Sequence, residues 1–321
     1  MKEDFESFYD ECIQDDELFK EWEHVKNKKR KKKIVSIIVA LIVDVLLFCF
    51  FDRYVGLGQM LQNSYFMPYT FLFTFLGLFI IDALVFVAFS IGVDKKYNIL
   101  YKEKIIDKLL KNFFDDVDYI PKKKMPHGIY KEPKYEEDYN EYDSDDYMEG
   151  LLDEKYSIKM AEVTTEQVET TTDSDGNTQT EVTTVFSGLF VVIDLQKSIE
   201  NELKIKENKT IFEKDKIEMD SEEFEKYFDV SSSNKIIGMQ ILTHDIMDLL
   251  IDYRIRLNKP FDIVIIDNIM YIRLHISQMF EAKFNKKEFI DKKSLEKYFY
   301  MVQFIYELSN KMIKIVNETE I

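Results

Sequence analysis

Two apolar runs constrain this chain more than any other feature of its sequence. Residues 34–51, IVSIIVALIVDVLLFCFF, are 18 long, and residues 71–93, FLFTFLGLFIIDALVFVAFSIGV, are 23 long. At about 1.5 Å per residue they make helices of about 27 and 34 Å, against a hydrocarbon core of about 30 Å. Apolar on every face over such lengths, they predict two membrane spans rather than two buried helices of a globular domain. A cleaved leader is not expected, because the first run follows 33 strongly charged residues and no small-residue cleavage pattern comes after it.

The basic residues set an orientation. Seven Lys or Arg fall between Lys26 and Lys33, among them Lys28, Lys29, Arg30, Lys31, Lys32 and Lys33. Lys95, Lys96, Lys102 and Lys104 follow the second run, whereas the connection at 52–70 has only Arg53. The positive-inside rule then predicts a multi-pass protein of the cell membrane with both termini cytoplasmic, and a basic cluster at the membrane surface. The bilayer is the expected partner of that cluster. Nucleic acid is not, since the net charge is −17 and positive charge is otherwise not clustered.

Each run holds one carboxylate, Asp44 and Asp82. In an antiparallel hairpin both would lie about 15–17 Å from the cytoplasmic side, at nearly one depth. Two ionised acids there cost about 2.5–3.5 kcal/mol each, so at least one is expected to hold its proton. They read either as polar glue between helices or as a proton or cation relay. Ser36, Ala40 and Asp44 recur every fourth residue, a stripe suited to close contact with the second span or another copy.

Ahead of the spans, residues 1–23 carry ten acids against Lys2 and Lys20. Phe5, Phe8, Tyr9, Cys12, Phe19 and Trp22 follow helical spacing, which predicts an amphipathic helix docking on the same protein. Two cysteines, Cys12 and Cys49, make neither a disulfide framework nor a metal-ligand spacing.

Beyond the spans, residues 94–114 alternate charged and apolar residues at helical period. Residues 115–154 hold Pro121, Pro126 and Pro133 and then YEEDYNEYDSDDYMEG; eleven acids between 132 and 154 predict an acidic linker that binds a divalent cation weakly at best. Two Thr- and Val-rich stretches around DSDGN predict a hairpin of strands. Asp220 with Glu223, and Thr243, mark helix starts. In FDIVIIDNIMYIRLH a two-residue turn at Asp267–Asn268 pairs Ile266 with Ile269, makes one face apolar and sets Asp262 across from Arg273, an ion pair expected on the sheet surface. Leu295, Tyr298, Val302, Ile305, Met312 and Val316 form a helical stripe suited to covering that sheet.

The fold expectation is therefore α+β: a two-helix transmembrane hairpin followed by a cytoplasmic domain of antiparallel strands covered by helices. Its segments are 1–33, 34–93, 94–114, 115–154 and 155–321. No phosphate-cradling loop, nucleophile elbow or helix-borne zinc motif is present, and His24, His127, His244 and His275 lie in different segments. No catalytic residue, cofactor or metal is expected from these patterns. VFSGLF (185–190), EEFEKYFDV (222–230), the ILT that follows and the DNIMYIRL hairpin, with DDYMEG, resemble a bacterial family of uncharacterised membrane proteins, domain of unknown function number three-one-three-seven. Asn234 and His244 depart from its pattern. The resemblance implies an inner-membrane location and no established activity. The function expected is a membrane-anchored interaction or regulatory module with protein partners, homo-oligomers included; the alternative is an oligomeric transport component using Asp44 and Asp82.

Overall fold

The structure, a computed structural model, describes residues 4–55, 95–135, 137–172, 178–199, 202–208, 215–285 and 287–318. The chain divides into two compact units: residues 1–14, 99–283 and 290–321 form one, and residues 15–98 with 284–289 form the other.

The first unit is built on one sheet. Its strands are β1 (Asp115–Ile120), β2 (Glu141–Leu152), β3 (Tyr156–Thr172), β4 (Thr178–Asp194), β5 (Glu202–Glu207), β6 (Lys216–Ile217), β7 (Phe228–Ser232), β8 (Phe261–Ile266) and β9 (Ile269–Leu274). They run in the order β1-β2-β3-β4-β9-β8-β5-β7-β6, each pair antiparallel. The expected β8–β9 register is the observed one, with Ile266 opposite Ile269 and Asp262 opposite Arg273. The long β3–β4 hairpin pairs as far as Thr172 opposite Thr178, and the turn expected at 173–177 lies outside the described residues.

Helices α1 (Phe5–Cys12), α6 (Glu222–Glu225), α7 (Lys235–Ile241), α8 (His244–Leu257) and α9 (Lys292–Glu318) belong to this unit. The stripe on α9 is buried from Leu295 to Val316. Phe304 fixes the layer, its ring 5.1 Å from that of Phe261 on β8 and 4.5 Å from that of Tyr253 on α8. The acidic head docks partly as expected: Phe5 and Phe8 of α1 meet Phe299 of α9 at 5.6 and 5.7 Å. Helix α1 then ends, because Asp15 starts a new helix by accepting a hydrogen bond from the Leu18 N–H at 2.8 Å.

Residues 115–154 are not a linker. They supply β1, α5 (His127–Lys131) and β2, and they cover the sheet face opposite the helices. Met125, Tyr130 and Tyr147 join Val163, Phe190 and Tyr271 in one buried cluster there. The Asp262–Arg273 pair therefore lies beneath protein instead of on an open surface, at 7% and 4% exposure.

In the second unit, α2 (Asp16–Val55) is a single helix of 40 residues. Its first part carries Trp22, whose Nε1 donates to the Asn285 carbonyl at 2.9 Å, and Lys29, whose ammonium lies 3.8 Å from the centre of the Phe284 ring. The run 34–51 is thus no separate span but the continuation of a helix that already holds Lys28 to Lys33. Among the described residues no helix is long and apolar enough to cross a membrane. The two-helix transmembrane hairpin, the multi-pass topology and the cell-membrane location with cytoplasmic termini are corrected on that finding. The run 71–93 and Asp82 lie outside the described residues. Asp44 is half-buried on α2, and its Oδ1 has no hydrogen-bond partner among the described residues. The transport alternative, which needed both carboxylates within one hairpin, loses its basis.

Candidate functional site

Strands β2 and β3 pair in register from Glu141–Glu166 to Asp145–Glu162, then slip before Met148–Met160. That bulge sets two β2 residues, Asp146 and Tyr147, against Ala161. Asp146 adopts a left-handed backbone with φ of 54° and is fully buried. Asp145 and Glu162 are left directly opposite one another, a like-charge pair that costs a sheet stability.

Next to the bulge the helix running from α3 (Lys95–Tyr101) into α4 (Asp107–Phe113) is widened to a π-helix over Lys102–Ile106. Its first residue, Lys102, is buried and places Nζ 2.7 Å from Asp146 Oδ2 and 2.6 Å from Glu281 Oε1. Tyr119 Oη donates to Asp146 Oδ1 at 2.7 Å. The third wall is the connection from β9 to α9. Gln278 and Phe280 sit there in left-handed conformations, with φ of 54° and 58°. The backbone N–H groups of Gln278 and Met279 donate to Glu162 Oε1 and Oε2 at 2.6 and 2.9 Å.

These walls enclose a groove of about 590 Å³, lined by Asp143, Asp145 and Glu162 on the strands and by Gln278, Glu281 and Lys283 on the connection. Burial pushes the Glu162 carboxyl up to about 7; Asp145 and Asp146 push the same way, and the two N–H donors only partly offset them. Burial likewise raises Asp146 to about 6 against the pull of Lys102, and raises Asp145. Lys102 keeps its proton: burial works against its charge, but Asp146 and Glu281 outweigh it. One oxygen from each of Asp145, Asp146 and Glu162 lies within 4.8 Å of the others, a spacing that a divalent cation could share. The Lys102 ammonium already occupies part of that coordination space, so the cluster takes added positive charge only at its open side.

A second group of charges is structural. Arg273 Nη1 donates to Glu137 at 2.7 Å and Nη2 to Asp262 at 2.9 Å, and its guanidinium stacks 3.6 Å from the centre of the Tyr135 ring. His275 Nε2 lies 3.1 Å from the same Asp262 oxygen. Burial alone would raise the Asp262 carboxyl; His275 and Arg273 outweigh it and hold it below the usual carboxylate range. No serine or cysteine is bonded to His275 among the described residues, so these groups do not form a nucleophile and base.

The residues singled out from sequence fall elsewhere. Asp44 and Lys28 to Lys33 lie on α2, in the other unit from the groove. The groove residues were missed because the segment holding Asp145 and Asp146 reads as a solvated acid run; the available signal was the apolar YM at 147–148 within it. His244, exposed, lies 3.4 Å from Asp220, and Asn234 caps α7 by accepting from the Ile236 and Ile237 N–H groups, so both are helix-start residues.

Residues 184–314 match the family model described as "Protein of unknown function (DUF3137)", the family that the sequence blocks resemble. The match begins within β4 and ends in α9. Gln278 and Glu281 lie inside it, whereas Asp145, Asp146 and Glu162 lie outside. No curated protein matches the chain, and no solved structure does.

Proposed function

We propose that this chain is an interaction module whose acidic groove takes a lysine- or arginine-bearing segment of a protein partner. The observation that carries the reading is charge imbalance: of the acids that line the groove, Asp143 is paired with Lys124 and Glu281 with Lys102, whereas Asp145 and Glu162 have no salt bridge among the described residues. Lys102 is committed to Asp146 and Glu281. Carboxylates that burial and mutual repulsion drive toward protonation gain most from an incoming cation. Open-sided ion pairs contribute roughly 0.5–1 kcal/mol each, so a short basic segment that engages a few of them should bind at roughly millimolar, with strong salt dependence.

The test is fluorescence anisotropy of a labelled decapeptide containing alternating Lys and Arg, titrated with the full chain. Saturable binding at about 50 mM salt that fades at about 500 mM, and that falls at least about tenfold in Asp145→Asn with Glu162→Gln, supports the groove. Equal binding by the double variant, or by an acidic control peptide, refutes it. Displacement of the peptide by calcium or magnesium at ordinary affinity would assign the groove to the ion instead.

A further inference from the structure

We infer that the free edge of β4 over residues 178–184 is a strand-addition site for an extended segment of a protein partner that carries lysine or arginine at alternate positions. Strand β4 meets β9 only over residues 189–194, so its first half pairs with β3 alone. Asn140 reveals which backbone groups that leaves open. Its side-chain amide donates to the Val168 carbonyl and accepts from the Val168 N–H, both at 2.8 Å, so the polar backbone of Val168 points away from β4. Val168 pairs with Val182, whose N–H and C=O therefore point away from β3, to the open side. By alternation the same holds for Thr178, Thr180 and Thr184. No backbone hydrogen bond joins these residues to a further element among the described residues, and 178–184 are exposed throughout.

The sheet's two outer strands are guarded against such pairing. Strand β1 slips register between Asp115 and Asp118 around left-handed Asp116, and β6 is two residues long. Residues 178–184, TQTEVTT, have no proline, no lysine, no register slip and one charge. Charge decides the occupant. Glu169 stands directly across from Glu181, and no Lys or Arg lies between Lys159 and Lys197, so the ribbon that holds Glu166, Glu169 and Glu181 has no cation of its own. A second copy would set this acidic ribbon against itself, whereas a Lys or Arg across from Glu181 relieves the like-charge pair. Val182, 53% exposed, takes a β-branched neighbour at the next position. An antiparallel segment alternating Val and Lys meets both demands, its main chain supplying affinity and its alternate side chains the selection. The edge shares no residue with the lining of the groove and goes beyond the function proposed for it.

The experiment is amide hydrogen exchange of the full chain with a peptide of about seven residues alternating Val and Lys, added up to about 5 mM. Exchange should slow at least about threefold at the outward amides of Thr178, Thr180, Val182 and Thr184, and less at Gln179, Glu181 and Thr183, whose amides already face β3. Val182→Pro removes an outward donor and no bond to β3, so the amides of β8 and β9 should stay protected while the peptide no longer slows Thr180 and Thr184. The same peptide N-methylated on its edge-facing amides should have no effect on the unmodified chain, and Glu181→Gln should weaken binding about two- to fivefold. Asp145→Asn with Glu162→Gln should bind the peptide unchanged, so failure of the groove leaves this result standing. Absent binding, equal binding by Val182→Pro or by the N-methylated peptide overturns the proposal. So does protection of the outward amides that rises with protein concentration alone, which would assign the edge to a second copy.

Discussion

Arg273 donates to Glu137 and Asp262 and stacks on the Tyr135 ring, while its Nε has no hydrogen-bond partner among the described residues. A guanidinium taken this far out of water is held by its partners, and its partners by it. Arg273→Met should therefore cost about 3–5 kcal/mol in a urea titration, because the buried Asp262 is left with His275 as its one remaining side-chain partner and the half-buried Glu137 loses its cation. Adding Asp262→Leu should recover part of that loss; no recovery would mean that the arginine acts through packing on Tyr135 alone. The cross-strand pairing of Asp262 and Arg273 was legible in the sequence, because a one-residue slip would have ruined both faces of the hairpin. Its burial was not, since the cover comes from Tyr130, Tyr135 and Glu137, more than a hundred residues away in the chain.

At the scale of elements, β4 shows why one glycine matters. A Cβ on Gly188 would lie 1.9 Å from the Leu274 carbonyl oxygen at the end of β9, where the backbone turns back toward Ile276. Gly188→Ala should destabilise the fold by at least about 1–3 kcal/mol, read by thermal or urea unfolding, and an unchanged midpoint would show that β9 can give way. The VFSGLF block thus sits where β4 meets the end of β9, a close approach that no local pattern announces. Hairpin β8–β9 and helix α9 were readable because period and turn chemistry agree there. Strand β2 was not, since Asp and Glu are poor strand formers and its charges are compensated from the distant Lys102 and Tyr119. The apolar run 34–51 misled for a related reason: hydropathy scores a run by itself, while these residues continue a helix begun at Asp16.

For the molecule as a whole, the acids of the groove make stability depend on pH in an unusual direction. Glu162 and Asp146 titrate in the fold at about 7 and about 6, against ordinary values of 4.5 and 3.8. A raised value means that the fold binds protons more tightly than the unfolded chain; their contribution is complete below the ordinary values and is lost as pH rises through 6 to 7. Asp262, held low, works the other way and weakens the fold only as pH falls below the ordinary carboxylate range. Stability should therefore peak on the acid side of neutrality and decline toward about pH 8, by roughly 1–3 kcal/mol after solvent screening. A charge arrangement kept at that cost is expected of a binding site and not of a scaffold. The direct measurement is the unfolding free energy of the full chain and of Asp145→Asn across this range. At about pH 8 the variant should be more stable by roughly 0.5–1 kcal/mol and should show a flatter pH profile. A variant less stable than the unmodified chain at about pH 8 would show that Asp145 supports the fold, and would contradict the reading of the groove as a charged site awaiting a cation.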